Sequence, residues 1–373
     1  MRTTPLHLGL RCALAAILAL ALCGADWESR ANLPSARYGG LLLPLAGDLY
    51  YIGGSDSTWL DGMPDVWRYD PGADAWDART PLLVGTFLPG GGVVDNQIYV
   101  LGGAFISGAT AYVNFNVAIY DAITDSWSDG SILGVALQGW AFATSDEDVL
   151  LFGGSDTASA IDNALRVYDT QGDTLSNGPP MNTARWLGAA WSADGHHYVA
   201  GGTFDGVDGV SGASVLAADD VVFSDEGMED LPAARIGAAY ATAWDEEDGD
   251  WRMYLLGGRD ATGTTHDSLW TYAPASDEWT DDGAIFAPSY LASAACLGGY
   301  LYLAGGMNAS GGVEDALRRL DVGACAPAGG DDDADDDAGD DDSDDDASDD
   351  DSADGDADGG SGDDDDDSGC CGC

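Results

Sequence analysis

Six short apolar strands in this chain each run into a pair of glycines: LYYIGG ends at Gly54, IYVLGG at Gly103, VLLFGG at Gly154, HYVAGG at Gly202, YLLGG at Gly258 and YLAGG at Gly306. The first glycines stand at 53, 102, 153, 201, 257 and 305, so the unit recurs every 48 to 56 residues. That is the period of a propeller blade rather than of a helical solenoid. Along Leu49-Tyr50-Tyr51-Ile52 and Ile98-Tyr99-Val100-Leu101 nearly every side chain is apolar or aromatic. Inner strands covered on both faces read this way, and glycines behind them permit positive φ and close backbone approach.

A second strand follows most glycine pairs and ends in an aromatic and an aspartate, with a tryptophan six residues beyond. The segments are VWRYDPGADAW (Tyr69, Asp70, Trp76), VAIYDAITDSW (Tyr120, Asp121, Trp127), LRVYDTQGDTL (Tyr168, Asp169, Leu175) and LWTYAPASDEW (Tyr272, Trp279). Over residues 27 to 321 this resembles the kelch repeat of exported bacterial proteins. In that repeat the glycine pair ends the second strand of a four-stranded blade, and the Tyr and Trp pack between blades. Two copies depart from it. The fourth, VLAADDVVF, has neither Tyr nor Trp, and the sixth, LRRLDVG, places Leu320 at the Tyr position. The sixth copy also stops without its Trp, whereas WESRANLPSARYGG near the start matches the strand and connector missing there. The expected fold is all-β: a six-bladed β-propeller of kelch type, closed by an N-terminal strand that completes the last blade and shields its edge.

Three segments follow. Residues 1 to 25 read as a secretion signal, with Arg2 and Arg11 ahead of an apolar run from Cys12 to Leu22 that is too short to span a bilayer. Cleavage is expected near Cys23-Gly24-Ala25, although Leu20-Ala21-Leu22-Cys23 also resembles a lipoprotein signal that would anchor the protein through Cys23. The propeller occupies 26 to 326. Residues 327 to 373 form an Asp-rich tail, expected to be a disordered, self-repelling spacer. It ends in Cys370, Cys371 and Cys373, which resemble the cysteine-bearing surface-sorting tails of some Gram-negative bacteria and mark a second way of tethering the protein to a membrane or cell surface. Secretion or a cell-surface location is therefore expected. In an oxidising compartment Cys296 and Cys325 would be candidates for a disulfide.

The chain has 66 acidic and 13 basic residues, none of them lysine, for a formal charge of −53. Phosphate repels such a surface, which excludes nucleic acid as a partner. No cofactor is expected. Asp354-Gly355-Asp356-Ala357-Asp358-Gly359 with Asp365 has the ligand spacing of a calcium loop, but in so Asp-rich a run the spacing arises by chance. Loose association of calcium with the tail is the expectation there.

In a propeller, ligand chemistry belongs to the face on which the loops between the second and third strands open. Aligning the residues that enter each first strand gives Arg37, Phe87, Trp140, Arg185, Arg235 and Tyr290. Three guanidiniums and three aromatics at one mouth would suit an acidic sugar. Arginine here also belongs to the kelch pattern, where it makes structural hydrogen bonds. The loops behind the glycine pairs add Trp59, Phe105, Tyr112, Phe115, Phe204 and His266 as a variable contact surface.

Catalytic readings find less support. Kelch-like copper oxidases need two cooperating histidines, and the adjacent His196 and His197 point to opposite faces of one strand. The iron motif of plant specifier proteins is matched by Glu226 and Asp230 but has Ala234 where histidine is required. Sialidase Ser-x-Asp-x-Gly repeats do not occur in series. Among enzymes the chain most resembles the periplasmic sialic acid epimerases, six-bladed kelch proteins in which acid/base chemistry opens and recloses a sugar ring. The sequence thus points first to an exported or surface-tethered binding module for an extracellular carbohydrate or protein. A carbohydrate-active enzyme is the alternative, and a structural envelope protein with a plugged channel is the third reading.

Overall fold

The computed structural model describes residues 26–56, 61–107, 110–145, 147–156, 158–217, 222–224, 228–246 and 248–323. The signal segment, Trp59, Glu226, Cys325 and the Asp-rich tail with its calcium-loop motif and cysteines lie outside them.

Six antiparallel sheets make six blades. The first holds β2 (Tyr38–Leu45), β3 (Asp48–Ser55), β4 (Val66–Asp70) and β5 (Ala75–Arg79), and the second β6 (Gly90–Val94), β7 (Gln97–Leu101), β10 (Val117–Asp121) and β11 (Ser126–Asp129). Between β7 and β10 a separate ribbon forms from β8 (Ala104–Ser107) and β9 (Thr110–Val113). The third blade is β12 (Ala141–Thr144), β13 (Asp148–Phe152), β14 (Leu165–Asp169) and β15 (Thr174–Asn177). The fourth has three strands, β16 (Ala189–Ala193), β17 (His196–Ala200) and β18 (Ala213–Ala217). Among the described residues its outer edge carries only the Val215–Ser224 bridge, in keeping with the copy that lacks Tyr and Trp. The fifth is β19 (Ala239–Asp245), β20 (Asp250–Leu256), β21 (Ser268–Ala273) and β22 (Glu278–Ala284).

The sixth blade consists of β23 (Ser293–Leu297), β24 (Tyr300–Ala304), β25 (Leu317–Asp321) and, from the other end of the sequence, β1 (Glu28–Arg30). Glu28 faces Arg319 and Arg30 faces Leu317, so Trp27 comes beside Leu320 in the same apolar cluster. This copies the other blades, where Trp76 is opposite Tyr69 and Trp127 opposite Tyr120. The Arg319 guanidinium adds a 2.8 Å bond to Glu28 across the seam.

The glycine pairs turn out to be contacts between blades. The second glycine of each donates its N–H to the residue entering the next blade: Gly54 to Thr86, Gly103 to Leu137, Gly154 to Arg185, Gly202 to Arg235, Gly258 to Ser289 and Gly306 to Arg37. A Cβ on Gly153 would stand 2.1 Å from the Arg185 carbonyl oxygen and one on Gly305 2.3 Å from that of Arg37, and both glycines have positive φ. No other residue fits so close to a neighbouring backbone.

At the axis a second set of six closes the ring. Gly39, Leu88, Gly139, Leu187, Gly237 and Leu291 are each the second residue of their blade's entry turn, and all six have φ between 53° and 65°. Leu88 donates to Gly39, Gly139 to Leu88, Leu187 to Gly139, Gly237 to Leu187, Leu291 to Gly237 and Gly39 to Leu291, at 2.8 to 2.9 Å. Glycine and leucine alternate for a steric reason. Cβ atoms on Gly39, Gly139 and Gly237 would lie 2.8 to 3.0 Å from the leucine of the following blade. Three leucines fill the axis and three glycines leave them room. Beside the ring, Tyr240 of the fifth blade reaches across to the third, where its hydroxyl accepts the Phe142 N–H at 2.9 Å. The ring residues, together with Trp140, Phe142 and Tyr240, line a cavity of about 70 Å³.

Candidate functional site

Isolated bridges join Phe87 to Ala104, Gln138 to Ser155, Trp186 to Thr203, Ile236 to Arg259 and Tyr290 to Met307. Each links the entry turn of a blade to the loop behind its glycine pair, so these segments share one face of the propeller.

The six residues aligned from sequence do not form one ring on that face. The equivalent positions, fixed by the glycine N–H bonds, are Arg37, Thr86, Leu137, Arg185, Arg235 and Ser289. Phe87 and Tyr290 are one residue further along, and Trp140 is three. The connectors are all ten residues long, from Trp27, Trp76, Trp127, Leu175 and Trp279 to Arg37, Thr86, Leu137, Arg185 and Ser289, so the offset comes from aligning on aromatic side chains. Nor are the arginines open to a ligand: Arg37, Arg185 and Arg235 are 3, 2 and 6% exposed. Arg37 bonds Asp65, Ser35 and its neighbour's carbonyl and lies 5.0 Å from the Trp67 ring. Arg185 donates to the Gly201 carbonyl at 2.8 Å. Arg235 donates to Ala234 and Ser268 and stacks 4.3 Å from Trp270. All three pin the entry turn of a blade to the strands of that same blade. Phe87 is buried edge-to-face against Tyr38, and Trp140 is buried near Arg166.

The loop residues behave differently. Phe105 and Tyr112 are opposite one another in the β8–β9 ribbon and stack at 5.4 Å with their planes 19° apart. Tyr112, Phe115 and Phe204 are 45, 49 and 52% exposed, which is unusual for side chains of that size. Beneath the ribbon two adjoining clefts, about 640 and 390 Å³, run from the second blade across the third to the fourth. They share Ala111, Tyr112, Val113, Asp156 and Ile161. Phe115 lines the wider one; Trp186, Gln138 and Asp205 line the narrower.

The carboxylates here are held by their own loops. Asp156 Oδ1 accepts the N–H groups of Ala158 and Ala160, and Asp205 Oδ1 those of Val207 and Asp208 together with the Thr203 hydroxyl. The Val207 and Asp208 N–H groups keep the Asp205 carboxyl below the ordinary aspartate range. Burial works to raise Asp162, but its bond to Arg166 and the Ala164 N–H bring it lower. Among the described residues, no arginine or histidine lines either cleft.

His266, on the fifth blade, is apart from this cleft and sits 2.9 Å from Asp260 Oδ2. Thr262 and then His266 hold Asp260 well below the usual carboxylate range. Beside it Arg259, which sequence reasoning passed over, stacks 4.2 Å from the Tyr290 ring. Sequence reasoning also missed Asp156, Asp205, Gln138 and Trp186. A signal existed for the first two, since GGSD, GGTFD and GGRD each set an aspartate just behind the glycine pair. Among the described residues, no group of three or more His, Cys, Asp or Glu side chains is arranged to hold a metal ion.

No family model matches the chain. Kelch-like protein 26 of Danio rerio is 26% identical over 252 residues, 66% of this chain and 40% of that protein. Kelch-like protein 36 of Bos taurus is 33% identical over 118 residues, 30% of this chain and 19% of the relative. Alpha-scruin of Limulus polyphemus is 31% identical over 117 residues, 29% of this chain and 12% of the relative. The chain therefore spans less than half the length of these curated relatives. A solved structure titled "Structure of YjhT" is similar with a TM-score of 0.67 at 12% identity, covering 78% of this chain and 96% of that one. At that identity the likeness is one of fold.

Proposed function

The chain is a six-bladed kelch-repeat β-propeller, and on that footing we propose that it is an exported or surface-tethered binding module that engages a partner through the loops behind its glycine pairs. The observation that carries this reading is the stacked Phe105–Tyr112 pair on a ribbon standing over clefts that cross three blades. Exposed aromatics around a concave surface contribute contact area at little entropic cost, as binding hot spots do. The Asp-rich tail and terminal cysteines support a tethered location in which the propeller is held away from the surface.

A protein partner is favoured over an acidic sugar because the arginines that would take a carboxylate are buried and engaged. The carbohydrate-enzyme reading makes a different demand, an acid/base residue whose loss abolishes turnover. The test is to display the full chain with Tyr112→Ala and Phe105→Ala on its native cells and measure adhesion to cell-surface proteins and to arrays of neutral and carboxylated sugars. Loss of protein capture in both variants supports the reading. Unchanged capture, or turnover of a sugar, overturns it.

A further inference from the structure

The chemistry of the narrower cleft says what kind of group enters it. Asp156 and Asp205 are each fixed through Oδ1, and among the described residues Oδ2 of each makes no hydrogen bond. Oε1 of Gln138, in the same cleft, is buried without a hydrogen-bond partner. Tyr112 and Trp186 supply two aromatic side chains to the lining. Carboxylate and amide oxygens and π faces, with the unpartnered indole N–H of Trp186, are thus gathered where, among the described residues, no cationic side chain lines the cleft.

We propose that this cleft takes an arginine or lysine side chain carried by an extended segment of a partner protein. A guanidinium or ammonium would satisfy the two carboxylates and the Gln138 oxygen while lying against the Tyr112 or Trp186 ring. Because loop N–H groups already hold both carboxylates, little ordering is needed on binding. A neutral sugar would stack on the aromatics but leave the carboxylates unmatched, and an acidic sugar would be repelled by them. This proposal rests on the binding reading above and names the partner chemistry of the same face.

The cleft is tested with a fluorescein-labelled Ser-Gly-Arg-Phe-Arg-Gly-Ser peptide and a twin carrying citrulline, which keeps the shape of arginine without its charge. Anisotropy is measured with the full chain at 150 mM salt, so that attraction to the Asp-rich tail is damped. We expect the arginine peptide to bind, the citrulline twin to bind about tenfold more weakly, and Asp156→Asn with Asp205→Asn to cost about tenfold. Tyr112→Ala should cost a similar factor. Arginine binding that persists in every variant is attraction to the tail and overturns the proposal. Equal binding of the twin overturns it as well. If neither peptide binds while Tyr112→Ala still abolishes cell-surface adhesion, the cationic chemistry fails and the binding face stands.

Discussion

Tyr69 donates its hydroxyl to Asp74 Oδ1 at 2.7 Å, and the same oxygen accepts the N–H of Ala31 at 2.8 Å, from the connector leaving the preceding blade. The motif recurs: Tyr120 and Thr80 meet on Asp125, Tyr168 and Ser131 on Asp173, Tyr272 and Glu229 on Asp277. In three of the four, Trp76, Trp127 and Trp279 also donate their indole N–H to the connector's carbonyl. Each aspartate has φ near 50°, which places its side chain back over the turn.

These latches have a pH signature. Asp74 is held low by the Ala31 N–H and then by Tyr69; Asp125 and Asp173 are held low by their tyrosines first. A carboxyl depressed in the folded state contributes stability above its unfolded value of about 3.9, and that contribution disappears as pH falls through the folded value. The triple variant Asp74→Asn, Asp125→Asn, Asp173→Asn should melt below the parent at pH 7, with the gap closing below about pH 4. Thermal melts from pH 7 to pH 3 check this; a gap independent of pH refutes it.

Replacing Gly139 by alanine tests the axial ring. Its Cβ would meet the Trp186 indole nitrogen at 2.1 Å with φ at 64°. Overpacking and backbone strain together should cost about 1–3 kcal/mol. Denaturant melts measure it. Gly47, where a Cβ meets nothing within 4 Å but φ is 85°, isolates the strain and should cost less.

Arg37→Ala separates stability from recognition. The variant loses the Asp65 and Ser35 bonds and the packing on Trp67, so it should be destabilised by about 1–3 kcal/mol. Partner binding at 20 °C should be unchanged. Lost binding in a fully folded protein would return the arginines to the site.

Removing residues 26 to 30 uncovers the outer edge of β25 and the apolar face that Trp27 covers. Such a chain should melt lower and associate through the bare edge, which light scattering during a thermal ramp detects. A monomer that melts like the parent would mean that β1 is dispensable.

Much of this fold was legible because a glycine that touches a neighbouring backbone leaves no substitute, so all six pairs survive in the sequence. Trp27 was readable as the closing strand because it precedes the same connector pattern as Trp76. The axial ring was not, because its six members share a φ value and a hydrogen bond but alternate between Gly and Leu. Phe87, Tyr290 and Trp140 stand one, one and three residues past the positions equivalent to Arg37, because aromatic type does not mark a fixed place in these equally long entry turns. Phe105 and Tyr112 could be named as loop residues, whereas their stacking depends on the register of a ribbon that only the folded chain displays.

The pairing of β1 with β25 also sets how the propeller bears mechanical load. The two strands are antiparallel, with Glu28 opposite Arg319, so the chain enters and leaves the seam at the same end. Tension between the two ends would open three residue pairs one after another, like a zipper, instead of shearing them together. Tension applied at one end and at the loop face is borne by whole blades. A protein of this construction withstands pulling when it is held by a single end.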